Sequence, residues 1–237
     1  MSPQLPQHTR TALMVFSLSA RQEAIRKRVF GVEQGNNNSR LFAQLIRHTE
    51  TVAKDSGIDL VWIDESKQQG QSFGERYANA FQGLFEQGYD RVISIGSDCP
   101  DLSVGILKQA LNSLADNQLV LGPVLDGGVY LIGIGKAAFS YDRFRALPWN
   151  SSQLLGGLRH YAGQRLQVIC LKTLADIDDY QSVLTYLNSF PGTFFSRLLI
   201  CLLLPDVGYQ PEAHLVMATD AIAADHRLRA PPCRYIQ

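Results

Sequence analysis

Apolar residues along this chain switch repeatedly between short continuous runs and helical spacing, which predicts strands separated by helices. Leu13 to Phe16 reads as a buried strand running into Ser19-Ala20-Arg21-Gln22, which has the spacing of a capping box opening a helix. Leu41, Leu45, Thr49, Val52 and Ala53 predict a second helix from Ser39 to Lys54, stopped by Gly57 before a strand from Ile58 to Ile63. Phe73, Tyr77, Phe81, Leu84 and Phe85 place an aromatic stripe on a third helix; Gly88 suits its C-terminal cap, and Arg91 to Ile95 is the next strand. Ser103 caps a helix carrying Val104, Leu107, Leu111 and Leu114, and strands follow at Leu119 to Leu121, Val129 to Ile134 and Leu166 to Leu171. This order predicts an α/β domain over residues 10–190, its mostly parallel sheet covered on both faces and its ligand groups at the carboxyl ends of the strands. Beyond Pro191-Gly192 the pattern changes to an apolar run, breaks at Pro205 and Pro211, and a helix predicted from Pro211 to His226. Residues 191–237 are therefore read as a C-terminal helical appendage that packs on the domain or on a second subunit, making a homodimer one expectation.

Composition narrows the partners. Of 237 residues, 46% are hydrophobic, enough for a substantial core. Lys+Arg and Asp+Glu each number 22, so no global charge draws the chain to nucleic acid or an anionic membrane, and any phosphate binding has to be local. The apolar run Leu198 to Leu204 is far shorter than the roughly 20 residues needed to span a bilayer. Leu13 to Phe16 is too short for a signal-peptide core. Cys99, Cys170, Cys201 and Cys233 lie far apart, which gives no zinc-knuckle spacing and no reason to expect disulfides. A cytoplasmic setting is the expectation.

Candidate chemistry gathers in four places. Asp98 and Asp101 flank Pro100 directly after a buried strand, where a carboxylate can hold a hard cation; a strand-end turn with an Asp capping the next helix is the other reading. Asp126-Gly127-Gly128 joins two strands, either as a plain hairpin turn or as backbone that a ligand approaches closely. Asp176-Ile177-Asp178-Asp179 follows a strand and either supplies a second carboxylate or caps a helix. Arg21, Arg26, Lys27 and Arg28 form the densest basic patch, on the first loop and helix, where phosphates are often received. There is no P-loop, no dinucleotide fingerprint and no nucleophile elbow, and the histidines are scattered singly.

Ile95-Gly96-Ser97-Asp98-Cys99-Pro100-Asp101-Leu102, Leu121-Gly122-Pro123 with Asp126-Gly127-Gly128-Val129-Tyr130, Trp149-Asn150-Ser151 and Asp176-Ile177-Asp178 occur in that order. Together they resemble a bacterial glycosyltransferase-like family related to the arsenosugar-biosynthesis glycosyltransferases and, more distantly, to 2-phospholactate guanylyltransferase. The resemblance covers residues 11–190. It implies a GT-A-like, nucleotide-diphospho-sugar transferase fold of three α/β/α layers and a metal-dependent glycosyltransferase taking a nucleotide sugar. A nucleotidylyltransferase or a non-catalytic nucleotide-binding relative are the alternatives. By the same resemblance Asp98, Asp176 and Asp178 would hold Mg2+ or Mn2+. Ser17, Arg21, Arg26, Lys27, Arg28, Gly74, Arg76, Ser97, Gly127 and Gly128 would bind the nucleotide, and Asp98 and Asp126 would act in catalysis, Asp126 toward the acceptor. The family's Lys-x-Pro-x-x-Gly-x-x-Lys-Thr-Arg stretch is here Leu18 to Arg28, without its proline and glycine and with Glu23 inside it.

Overall fold

The computed structural model describes residues 9–204, residue 116 excepted. Six strands, β1 (Thr11–Phe16), β2 (Asp59–Ile63), β3 (Arg91–Ile95), β4 (Gln118–Pro123), β5 (Val129–Gly135) and β6 (Gln167–Cys170), make one sheet in the order β2-β1-β3-β5-β4-β6. β1 pairs in parallel with β2 and β3, and β4 with β6, while β5 runs antiparallel to both of its neighbours. All strands but β5 therefore end at the same edge of the sheet. The helices are α1 (Ala20–Lys27), α2 (Gly35–Asp55), α3 (Phe73–Glu86), α4 (Val104–Asn112), α5 (Tyr141–Arg145), α6 (Leu154–Ala162), α7 (Tyr180–Ser189) and α8 (Phe194–Leu203). The mixed, mostly parallel α/β architecture expected from the sequence is the one found.

β1 shows why its apolar run is continuous. Ala12, Met14 and Phe16 face one core with Tyr77, Phe81 and Phe85 of α3, Phe144 of α5 and Leu158 of α6. Leu13 and Val15 face the other, with Val52 of α2 and Leu107 and Ala110 of α4. With helices over both faces, every position of β1 after Thr11 is buried and no polar alternation survives. The two faces differ in character: the first is aromatic, the second aliphatic.

Three features depart from the sequence reading. Helices α5 and α6 were not predicted; α5 has five residues and α6 contains Gly156-Gly157, so neither shows a clear helical period. The capping box expected at Ser19 is absent, because Ser19 donates both its N–H and its hydroxyl to the carboxylate of Glu65, at 2.7 and 2.5 Å. The apolar run Leu198 to Leu204 is largely the end of α8, whose N-cap Thr193 accepts from Ser196 N–H at 3.1 Å. The backbone separates into two compact units at Tyr186 and Leu187, α8 belonging to the second. The helix predicted from Pro211 to His226 lies outside the described residues. No helix among the described residues is long and apolar enough to cross a membrane.

Candidate functional site

At the common carboxyl edge of the strands a cleft of about 680 Å3 opens, lined by both polar and apolar residues. Each acidic residue reaches it by a different route. Asp98 follows β3, where Pro100 ends strand pairing. Asp126 sits in the turn between β4 and β5: Val124 N–H bonds to the Gly128 carbonyl at 3.1 Å and Gly128 N–H to Asp126 Oδ1 at 2.8 Å, while Gly127 takes φ +93°, a value suited to glycine. The segment after β6 stays paired to the end of β4, with Leu171 N–H on the Leu121 carbonyl at 2.8 Å and Leu174 N–H on the Pro123 carbonyl at 3.1 Å. It then crosses to β3, where Ile177 N–H donates to the Asp98 carbonyl at 3.0 Å. Ile177 is fully buried, so Asp176 and Asp178 on either side of it point back toward the cleft.

Carboxylate oxygens of Asp126, Asp176 and Asp178 lie within 4.8 Å of one another. Burial and the charges of Asp98, Asp178 and Asp126 push the Asp176 carboxyl up to about 7. Asp98 behaves differently. Its Oδ2 lies 2.8 Å from Lys27 Nζ, and although burial works against its charge, the ammonium holds Asp98 below the usual carboxylate range. Lys27 also pairs with Asp178 Oδ1 and donates to the Ile177 carbonyl at 3.3 Å, with its side chain 5% exposed. Burial opposes that charge too, but the two aspartates overcome it and raise the Lys27 pKa.

Of the residues expected on a nucleotide, Ser17, Arg26, Arg76, Ser97 and Gly128 line the cleft together with Asp98, Asp126, Asp176 and Asp178. Arg26 gives Nε and Nη2 to Glu23 Oε2 at 3.1 and 2.8 Å, so the glutamate inside the altered stretch holds its guanidinium. Arg21 and Arg28 instead border a separate, smaller hollow with Val32 and Asn36. Lys27 is not among the residues that line the cleft; its ammonium pairs with Asp98 and Asp178 and donates to the Ile177 carbonyl. Gly74 makes room rather than contact: a Cβ there would collide with the Arg145 carbonyl and come 2.7 Å from Trp149 Cδ1. A Cβ on Gly127 would likewise collide with the Ser152 carbonyl. Of the three aspartates expected on a metal, Asp176 and Asp178 group with Asp126, while Asp98 pairs with Lys27.

An aromatic wall, partly formed by the stripe of the third helix, also reaches the cleft. Phe73 and Tyr77 of α3 and Trp149 line it, with ring centroids 5.6 Å apart for Phe73 and Trp149 and 5.0 Å for Tyr77 and Trp149. Gln68 lines it too, donating to the Ser17 carbonyl at 3.0 Å, and no sequence signal marks that role.

Comparison with solved structures finds the same fold. A structure from Desulfovibrio desulfuricans G20, described as a candidate nucleotide-diphospho-sugar transferase, is 23% identical with a TM-score of 0.69, covering 91% of this chain and 97% of that one. A cytidylyltransferase from Leptospira borgpetersenii is 9% identical with a TM-score of 0.44, covering 94% of this chain and all of the other, 100%. A glycosyltransferase involved in glycosylation of the major capsid of PBCV-1 is 12% identical with a TM-score of 0.43, over 81% and 98% of the two chains. No curated protein matches the sequence. The chain shares the fold of the Desulfovibrio desulfuricans structure, and its residues 40–151 match the family described as an uncharacterized protein conserved in bacteria (DUF2064).

Proposed function

We propose that the cleft binds a nucleotide sugar and that the protein is a divalent-cation-dependent glycosyltransferase, passing the sugar to a small acceptor. The observation that carries this reading is the convergence of Asp98, Asp126, Asp176 and Asp178, from three separate segments, on one cleft at the carboxyl edge of the sheet. Asp126, Asp176 and Asp178 offer hard oxygen donors close enough to share one cation, the chemistry that suits Mg2+ or Mn2+. Such a cation supplies neutralisation of the departing diphosphate. Asp176 is the member whose charge is least compensated, so it gains most from a cation beside it. Arg76 and Arg26 also line the cleft and offer further charge to phosphates, Arg26 with half of its side chain exposed despite its pairing with Glu23. The faces of Phe73 and Trp149 give a base an apolar surface to stack on. Asp126 is an exposed member of this trio, on the side from which an acceptor hydroxyl would approach.

Thermal shift across nucleotide sugars, nucleoside diphosphates and triphosphates, with and without Mn2+, tests the reading, because a ligand that binds only the folded state raises its stability. One nucleotide sugar is expected to raise Tm only with Mn2+, and Asp176→Asn is expected to remove that cation dependence. Absence of any nucleotide-dependent shift under either condition sinks the proposal. In the reaction with acceptor, nucleoside diphosphate is the expected product; pyrophosphate would instead indicate nucleotidyl transfer.

A further inference from the structure

Beside the outer carboxylates lies an inner cage that has its own cation already. Its polar lining is three oxygens: Asp98 Oδ2 at 2.8 Å from Lys27 Nζ, Asp178 Oδ1 in direct ion pairing with it, and the Ile177 carbonyl at 3.3 Å. Two carboxylates and a backbone carbonyl on converging segments are a donor set that hard divalent cations take. An ammonium has three N–H donors, and here each has one of these oxygens, so none remains for a phosphate. The cage is also closed from behind, with the Phe42 ring 5.6 Å from Nζ and the lysine side chain 5% exposed. A divalent ion between Asp98 and Asp178 would have to displace this ammonium, and two cations cannot share so small a space. The Asp98–Asp178 pair as built therefore does not fit a metal.

We infer that Lys27 is a resident cation, replacing a divalent ion between Asp98 and Asp178. Three consequences distinguish it from an ordinary buried ion pair. It fixes the 176–178 segment against β3 with no metal present, since the same segment is latched by Ile177 N–H on the Asp98 carbonyl at 3.0 Å. It brings one positive charge where a metal would bring two. It leaves no open coordination position, so a ligand's phosphates have to be met further out, toward Asp126 and Asp176. The inference concerns the cage alone and holds whether or not the cleft carries out sugar transfer.

Counting bound Mn2+ by electron paramagnetic resonance, with free ion as the signal, tests it on the full chain. Wild type is expected to bind a certain number of Mn2+ ions, and Lys27→Ala is expected to bind one more, which disappears again in Lys27→Ala/Asp98→Asn. Equal stoichiometry in wild type and a folded Lys27→Ala overturns the inference. Should Lys27→Ala fail to fold, the single variant Asp98→Asn decides: with Lys27 in the cage it is expected to keep the full wild-type number of ions, and loss of one ion shows that metal, not lysine, occupies the cage. A wild type that binds no Mn2+ would defeat the proposed cation at Asp126, Asp176 and Asp178, yet leave the gain in Lys27→Ala as the measure of the inner cage.

Discussion

Helices α1 and α3 both enter from the cleft edge, and both begin with a serine followed three residues later by Gln or Glu, yet only one forms the box that this spacing predicts. At α3, Ser72 Oγ accepts from Glu75 N–H at 3.1 Å, and Glu75 Oε2 takes N–H donors from Gln71 at 2.9 Å and Ser72 at 3.4 Å. At α1, the carboxylate that takes the Ser19 N–H belongs to Glu65, from the loop after β2, and the Ser19 hydroxyl turns to donate to it as well. A charged carboxylate is a stronger acceptor than the neutral amide of Gln22, so the distant group displaces the local one. The lesson is that a local motif states which donors need partners, and the tertiary neighbourhood decides who supplies them. The outcome also divides labour along the cleft: α3 is self-contained and carries the aromatic wall, while α1 is tied to a loop and carries the cage lysine.

The comparison can be broken most severely at Gly74, where α3 passes beneath Trp149. Gly74→Val would force a side chain into the Arg145 carbonyl and the indole, and overpacking of this kind costs about 1–3 kcal/mol or more. Chemical denaturation is expected to show that loss, with the near-UV signal of Trp149 altered; unchanged stability would mean that the Trp149 loop is not seated on α3.

A smaller effect sharpens the contrast directly. Ser72→Ala removes a cap that accepts a backbone N–H, for which the usual loss is about 1 kcal/mol. Ser19→Ala removes an exposed hydroxyl that caps nothing, and its expected cost is below about 0.5 kcal/mol. Equal losses in the two variants would refute the assignment of a working box to α3 alone.

The smallest effect is one of pH. The hydrogen bond from Ser19 lowers the pKa of Glu65, so its stabilising contribution is present above the unfolded glutamate range and fades as pH falls through the depressed folded value. The difference between wild type and Ser19→Ala is therefore expected to be larger at pH 7 than at pH 3. A difference that grows on acidification would contradict the Glu65 contact.

Much of the sheet was legible because its strands are short apolar runs between helical patterns; Arg91 to Ile95 was read with the bounds that β3 has. Helices α5 and α6 were not legible, since their burial comes from aromatic packing around Phe144 and Tyr161 and not from a long periodic face. Within the site, the acidic motifs were visible as Asp-rich turns after strands. Their grouping was not, because Asp126 and Asp176 meet only through the pairing of the segment after β6 with the end of β4.

The sequence by itself determined the alternation of strands and helices and the clustering of aspartates at strand ends, since both follow from local apolar periodicity and turn chemistry. The partner of each charge was decided only by the tertiary structure. Lys27 lies 71 residues from Asp98 along the chain, and the same basic stretch sends Arg26 to the cleft, Arg28 to another hollow and Lys27 inward. Successive helical residues point in different directions, and which direction meets a carboxylate depends on where the sheet sets the helix down.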